Sequence, residues 1–130
     1  VQKANLLEAS CIAEKRMAMI TMERSQLDIA DGHCKRCLTN ARQFTAEGHH
    51  KTTAIFTGLC NYVYLRRREG KISTAVTFVE EAFNLVVVAY DPVHLQVEEA
   101  AGLLIQCLIK TGNFFDAERY AEVTYSSLRV

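Results

Sequence analysis

Lys110-Thr111-Gly112-Asn113-Phe114-Phe115-Asp116-Ala117 and Glu69-Gly70-Lys71-Ile72-Ser73-Thr74-Ala75 are two copies of one turn. In each, a Gly is followed by a polar residue, a bulky apolar residue, two residues that open a helix, and an Ala. Gly112 lies 42 residues after Gly70, and Ala117 lies 42 after Ala75. A turn repeated at fixed spacing between helical patterns marks stacked helical hairpins. Gly at a helix end takes the left-handed conformation that a residue with a Cβ resists. The apolar residue two places on, Ile72 or Phe114, is expected to fold back onto the helix just finished. Ala75 and Ala117 let two helix backbones approach closely, and Ala82 and Thr124, seven residues further, put a second small residue on the same face.

Outward from these turns the chain reads as six helices. Leu6, Leu7, Cys11, Met17 and Ile20 recur at helical spacing and predict a first helix over 4–24. Ser25 or Asp28 is expected to cap a second over 29–46, with Ile29, Ala30, Cys34, Cys37, Leu38, Ala41 and Phe44 as its apolar face, ended by Gly48. His49, His50, Lys51 and Thr52 read as a polar link. Further helices are expected over 53–68, 73–90, 94–110 and 115–128. Leu85-Val86-Val87-Val88 has strand propensity, but the helical period runs into it unbroken, and a helix apolar all round its last turns reads as buried. Asp91-Pro92 stops that helix. No Gly turn separates the first two helices. One period back from Gly70 falls on Asp28, with His33 at the Ala position, so 1–50 reads as a degenerate hairpin before the repeats at 51–92 and 93–130.

Composition bounds the function. With 130 residues and 49% hydrophobic residues, one helical-repeat domain with a sizeable core is expected. Fifteen Lys plus Arg balance fifteen Asp plus Glu, which removes the charge footprint of a nucleic-acid binder. No run of about 18 uninterrupted apolar residues is present, so no membrane insertion is expected. Five cysteines in helical patterns fit reduced thiols, which points to an intracellular, cytoplasmic setting. The chain opens on Val1 and reads as a piece of a longer one.

The spaced residues Gly70, Ile72, Ala75 and Ala82, then Gly112, Phe114, Ala117 and Thr124, resemble the tetratricopeptide repeat. The 42-residue period, against about 34 in the usual repeat, and Asp91-Pro92-Val93-His94 between units look like the kinesin-light-chain type. Thr124 stands where that family usually has Ala. The resemblance implies an all-α, right-handed superhelix of about three antiparallel helical hairpins, whose first helices build a concave wall that binds peptides or partner segments. Carried onto this chain, the wall holds Thr57, Cys60, Asn61, Tyr64, Arg67 and Arg68, then Glu99, Gly102, Leu103, Gln106 and Lys110. Asn61 matches the position of an Asn that bonds a peptide backbone, and an amide offers both donor and acceptor there. Arg67 and Arg68 suit an acidic side chain or a terminal carboxylate. The expected partner-binding set is therefore Asn61, Tyr64, Arg67, Arg68, Gln106 and Lys110.

Plainer readings stand beside these. Asn61 is equally able to sit in water or bond a neighbouring helix. Arg66-Arg67-Arg68 suits a helix C-terminus, where cations favour the dipole. Cys34-Lys35-Arg36-Cys37, with His33 beside it, has two ligands at metal spacing on one helix face, but no second pair completes a zinc site and no strand precedes it as in a redox motif. Core packing of two small residues is the simpler account. His33 and His94 show no acid or nucleophile partner in the sequence. Glu80-Glu81 and Glu98-Glu99 are helix neighbours that do not face each other. With no phosphate loop, nucleophile elbow or zinc-protease motif, neither an enzyme nor a cofactor is expected. The expected function is a protein–protein interaction scaffold or adaptor. The alternatives are a subunit packed permanently in a larger assembly and, behind it, a Cys-based metal or redox site.

Overall fold

The computed structural model describes residues 2–43, 49–91 and 94–128, and over them the chain is all-helical. The elements are α1 (Gln2–Glu23), α2 (Leu27–Arg42), α3 (His49–Arg68), α4 (Ile72–Ala89), α5 (Leu95–Lys110) and α6 (Phe114–Leu128), with no strand among the described residues. The helices pack in chain order, each against the next, and α1 also lies against α3.

Three tight corners join α1 to α2, α3 to α4 and α5 to α6, and they are built alike. Gly70 and Gly112 have φ of 79° and 78°, and the third corner residue is Ser25, with φ of 60°. Each donates its N–H three residues back: Ser25 to Met22 O, Gly70 to Arg67 O and Gly112 to Ile109 O, all at 3.0 Å. The next residue donates five back: Gln26 to Thr21 O, Lys71 to Arg66 O and Asn113 to Leu108 O, at 2.8, 2.7 and 2.9 Å. This paired capping satisfies carbonyls that a helix end leaves orphaned. The first corner is therefore Ser25, not a turn at Asp28, and it lies 45 residues before Gly70 rather than 42. Neither Ser25 nor Asp28 caps α2; Gln26 holds that place without a side-chain bond.

Once the corners are aligned, the first hairpin stops looking degenerate. Five residues past each corner come Ala30, Ala75 and Ala117, all buried. Ala30, not His33, holds the small-residue position. Twelve past the corner come Cys37, Ala82 and Thr124, and nine past come Cys34 and Val79. Cys34 and Cys37 are fully buried, so their spacing is that of the repeated inner face of a hairpin's second helix. Across the hairpin Cys11 Sγ donates to Cys37 O and Cys37 Sγ to Cys11 O, each at 3.5 Å.

Apolar burial holds the stack together. Leu59, Leu65, Leu104, Val63, Val79 and Val86 are among the largest side chains fully out of water. Burying each contributes about 1.5–3 kcal/mol, against about 0.2–1 for an exposed ion pair such as Arg42–Glu81. Tyr62 of α3 stacks on Phe78 of α4 with centroids 4.6 Å apart, and Phe83 meets Tyr120 edge-on at 5.5 Å.

Several expectations give way. α3 begins at His49, so the supposed polar link at 49–52 is its first turn. Phe44, Ala46, Gly48 and the Pro92 stop lie outside the described residues. Phe114 does not fold back: it is 64% exposed, whereas Ile72 packs against the core. The end of α4 is not buried either. Val87 faces solvent and Val88 is 87% exposed, because α3 and α5 cover only the face carrying Ala75, Val79, Ala82, Phe83 and Val86. By length and composition alone, the 18 residues of α4 are long and apolar enough to cross a membrane, although no uninterrupted apolar run announced it.

Candidate functional site

α3 and α5 are the first helices of successive hairpins, yet they do not touch along their backbones. Among the described residues no Cα of one lies within 8 Å of a Cα of the other. α1 and α3, by contrast, are in direct contact. The divergence opens a trough of about 430 Å3, lined by Tyr64, Leu95, Glu98, Glu99, Gly102, Leu103 and Gln106. Arg67 Nη1 donates to Gln106 Oε1 at its edge, at 3.5 Å, and a second bond between the two helices, Gln96 Nε2 to Thr53 Oγ1 at 3.4 Å, lies in a separate hollow with Tyr90 and His94. The floor is mixed apolar and carboxylate. Burial holds the Tyr64 hydroxyl above its ordinary range, aided by Cys60 and Glu99, so Tyr64 offers a neutral O–H at physiological pH.

Gly102 is the telling residue of the floor. A Cβ built there would meet nothing within 4 Å. Gly inside a helix costs about 0.5–1 kcal/mol relative to Ala, and nothing in the fold requires it at this point. Gly58 makes the contrast: a Cβ there would come within 3.1 Å of the Leu38 Cα, so close packing of α2 on α3 explains it.

The expected binding residues divide. Tyr64, 44% exposed, and Gln106 line the trough, with Arg67 bridging its edge. Lys110 is exposed at the end of α5. Arg68 turns the other way and pairs with Glu23 of α1 at 3.3 Å. Asn61 does not reach the trough: it is 3% exposed and donates from Nδ2 to Cys37 Sγ at 3.8 Å, because the contact of α3 with α1 and α2 closes over it. The plainer reading, a bond to a neighbouring helix, describes Asn61. Arg66 is structural as well. It grips Glu69 at 2.6 Å and Asp31 of α2 at 2.8 Å, and lies 5.4 Å over the Tyr62 ring. Three consecutive arginines thus serve three different neighbours, which spacing alone does not reveal.

The other chemical candidates resolve into packing and caps. His33 does have an acid partner: its Nδ1 lies 2.5 Å from Glu14 Oε2, and Arg36 Nε donates to Glu14 Oε1 at 3.1 Å. Burial alone would raise the Glu14 carboxyl, but the bonds from His33 and Arg36 outweigh it and hold the group below its ordinary range. His94 caps α5, accepting from Gln96 N–H at 3.1 Å, and stacks on Tyr90. Burial pushes the thiols of Cys34 and Cys60 up to about 12 and that of Cys11 up to about 11, the opposite of what an activated nucleophile needs. Cys37 shifts the same way, for the same reason. Among the described residues no three His, Cys, Asp or Glu side chains converge to hold a metal ion.

Searches against protein-family models and against curated proteins give no match to this chain.

Proposed function

We propose that this chain is a protein–protein interaction module of tetratricopeptide-repeat type, and that it holds an extended segment of a partner polypeptide in the trough between α3 and α5. The observation that carries this reading is Gly102, a helix-interior glycine with open space above it on the trough floor. A helix keeps such a residue at a cost in stability where another backbone approaches closely. Tyr64 and Gln106 supply donors and acceptors to that backbone, and Leu95 and Leu103 its apolar contacts. The repeated corners at Ser25, Gly70 and Gly112 support the repeat assignment.

The test is a paired substitution. Gly102→Ala should raise stability by about 0.5–1 kcal/mol through helix propensity, whereas Gly102→Leu fills the floor. Proteins captured from native extract by the wild type and identified by mass should be lost with Gly102→Leu and with Tyr64→Ala, while Gly102→Leu melts no lower than the wild type and Tyr64→Ala stays folded. Capture of the same proteins by all three would remove the trough as the site.

A second reading, a subunit of a larger assembly, is favoured by the apolar residues that α1 leaves in solvent, among them Ile12, Met17, Met19 and Ile20.

A further inference from the structure

Counting back from the three corners aligns the first helices of the hairpins. Glu98 of α5 then stands where α3 has Phe56 and α1 has Cys11, and Glu99 stands where they have Thr57 and Ile12. Phe56 and Cys11 are buried, whereas Glu98 is exposed. At this point α5 diverges from α3, and the place that is packed in the other two helices lines the trough. Of the three first helices, α5 alone carries a carboxylate at either place.

These two carboxylates have no cation of their own. Among the described residues every ion pair takes a different acid. A helix N-terminus favours an acid in its first turn, which accounts for Glu98; Glu99 lies beyond that turn. The charge of Glu99 is felt across the trough. It adds to the burial that raises the Cys60 thiol and the Tyr64 hydroxyl of α3, with Lys15 of α1 opposing it at Cys60. Arg67 is held toward the other end by Gln106. Gln106 is seven residues past Glu99, which is about 10 Å along the helix and about one screening length at physiological salt.

The rest of the lining suits a long cationic side chain. Tyr64 presents an exposed aromatic ring, and Leu95 and Leu103 present apolar surface. An ammonium or guanidinium gains from an aromatic face and a carboxylate together, and its methylene stem gains from the apolar wall. An acidic side chain in the same place would meet two like charges.

Resting on the reading that the trough holds an extended partner segment, we propose that this segment is basic where it passes the start of α5: a lysine or arginine of the partner lies over Tyr64 and Leu103, with its charge against Glu98 and Glu99.

A displayed library of random twelve-residue segments tests this. It is selected in parallel on the wild type, on Gly102→Leu, and on Glu98→Lys with Glu99→Lys. Segments enriched by the wild type and lost with Gly102→Leu should share one position held by Lys or Arg. The charge-reversed protein should select Asp or Glu there instead. Replacing that basic residue by Gln in a selected peptide should weaken binding to the wild type by about three- to tenfold. The same replacement should change little against Glu98→Gln with Glu99→Gln, which keeps the shape of both side chains and removes their charge. Trough-dependent segments without a shared basic position overturn the proposal and leave the trough standing, as does recovery of the same segments by the charge-reversed protein. A selection in which nothing enriched depends on Gly102 removes the trough, and the proposal with it.

Discussion

Met17 and Tyr62 occupy equivalent points on two equivalent helices, and one lies largely in water while the other is buried. The same holds for Ile20 and Leu65. α1 and α3 both precede a left-handed corner, and both carry an apolar stripe at helical spacing. They differ in what lies beside them: α3 has α2 on its incoming side and α4 behind, whereas among the described residues α1 has its own hairpin and the flank of α3. In a linear stack, burial belongs to a position in the array and not to a helix taken alone. The polar pair of the first hairpin follows the same logic. Glu14 and His33 stand where α3 and α4 have Leu59 and Phe78, so a carboxylate and an imidazole fill a site that elsewhere is apolar.

The sharpest test of the comparison is truncation at matched points. Leu65→Ala empties a fully buried site and should cost about 2–5 kcal/mol. Ile20→Ala, at the equivalent point of α1, should cost well under half of that in dilute monomer. Urea unfolding at fixed protein concentration reads both, and equal losses would mean that α1 is covered in solution.

The corners come next in size. Gly70→Val should destabilise by about 1–2 kcal/mol, because an L residue resists positive φ. Ser25→Gly should do the opposite and raise stability by a few tenths to about 1 kcal/mol, since relief of the left-handed strain exceeds the entropy that glycine adds to the unfolded chain. A thermal melt that moves the same way for both would break the equivalence of the three corners.

The smallest expected effect is on pH dependence. Because the folded Glu14 carboxyl lies below its ordinary value, its stabilisation is fully present above that value and is lost as pH falls through the lower, folded one. Glu14→Gln should therefore flatten the acid side of the stability profile and leave the alkaline side unchanged. A profile that falls as steeply as the wild type at low pH would assign the acid sensitivity to other carboxylates.

Much of this architecture was legible because glycine at positive φ leaves a mark in sequence, and Gly70 and Gly112 left it twice. Ser25 left none, since a search for glycine passes over a residue with a Cβ. The signal that finds it is the spacing after it: Leu27 two places on and Ala30 five places on, as with Ile72 and Ala75. Reading the end of α4 as buried held for Val86 and failed for Val87 and Val88, because hydropathy does not say how many neighbours a helix has. Tyr64, Gly102 and Gln106 were placed on one wall by the family resemblance carried onto α3 and α5, and all three line the trough. Asn61 was assigned to the same face but lies under α2, because the crossing of α3 on α1 and α2, which spacing does not encode, decides which edge of a face stays open.

The order of helix contacts also sets how the molecule gives way. Among the described residues α1 and α3 are the one pair of helices out of chain sequence whose backbones lie side by side, so most packing joins segments close along the chain, the arrangement that folds quickly. Opening can then start at an end without disturbing the middle. Among the described residues α6 has α5 alone along its backbone, so its amides should exchange with solvent deuterium first, and those of α3, held by α1, α2 and α4, last.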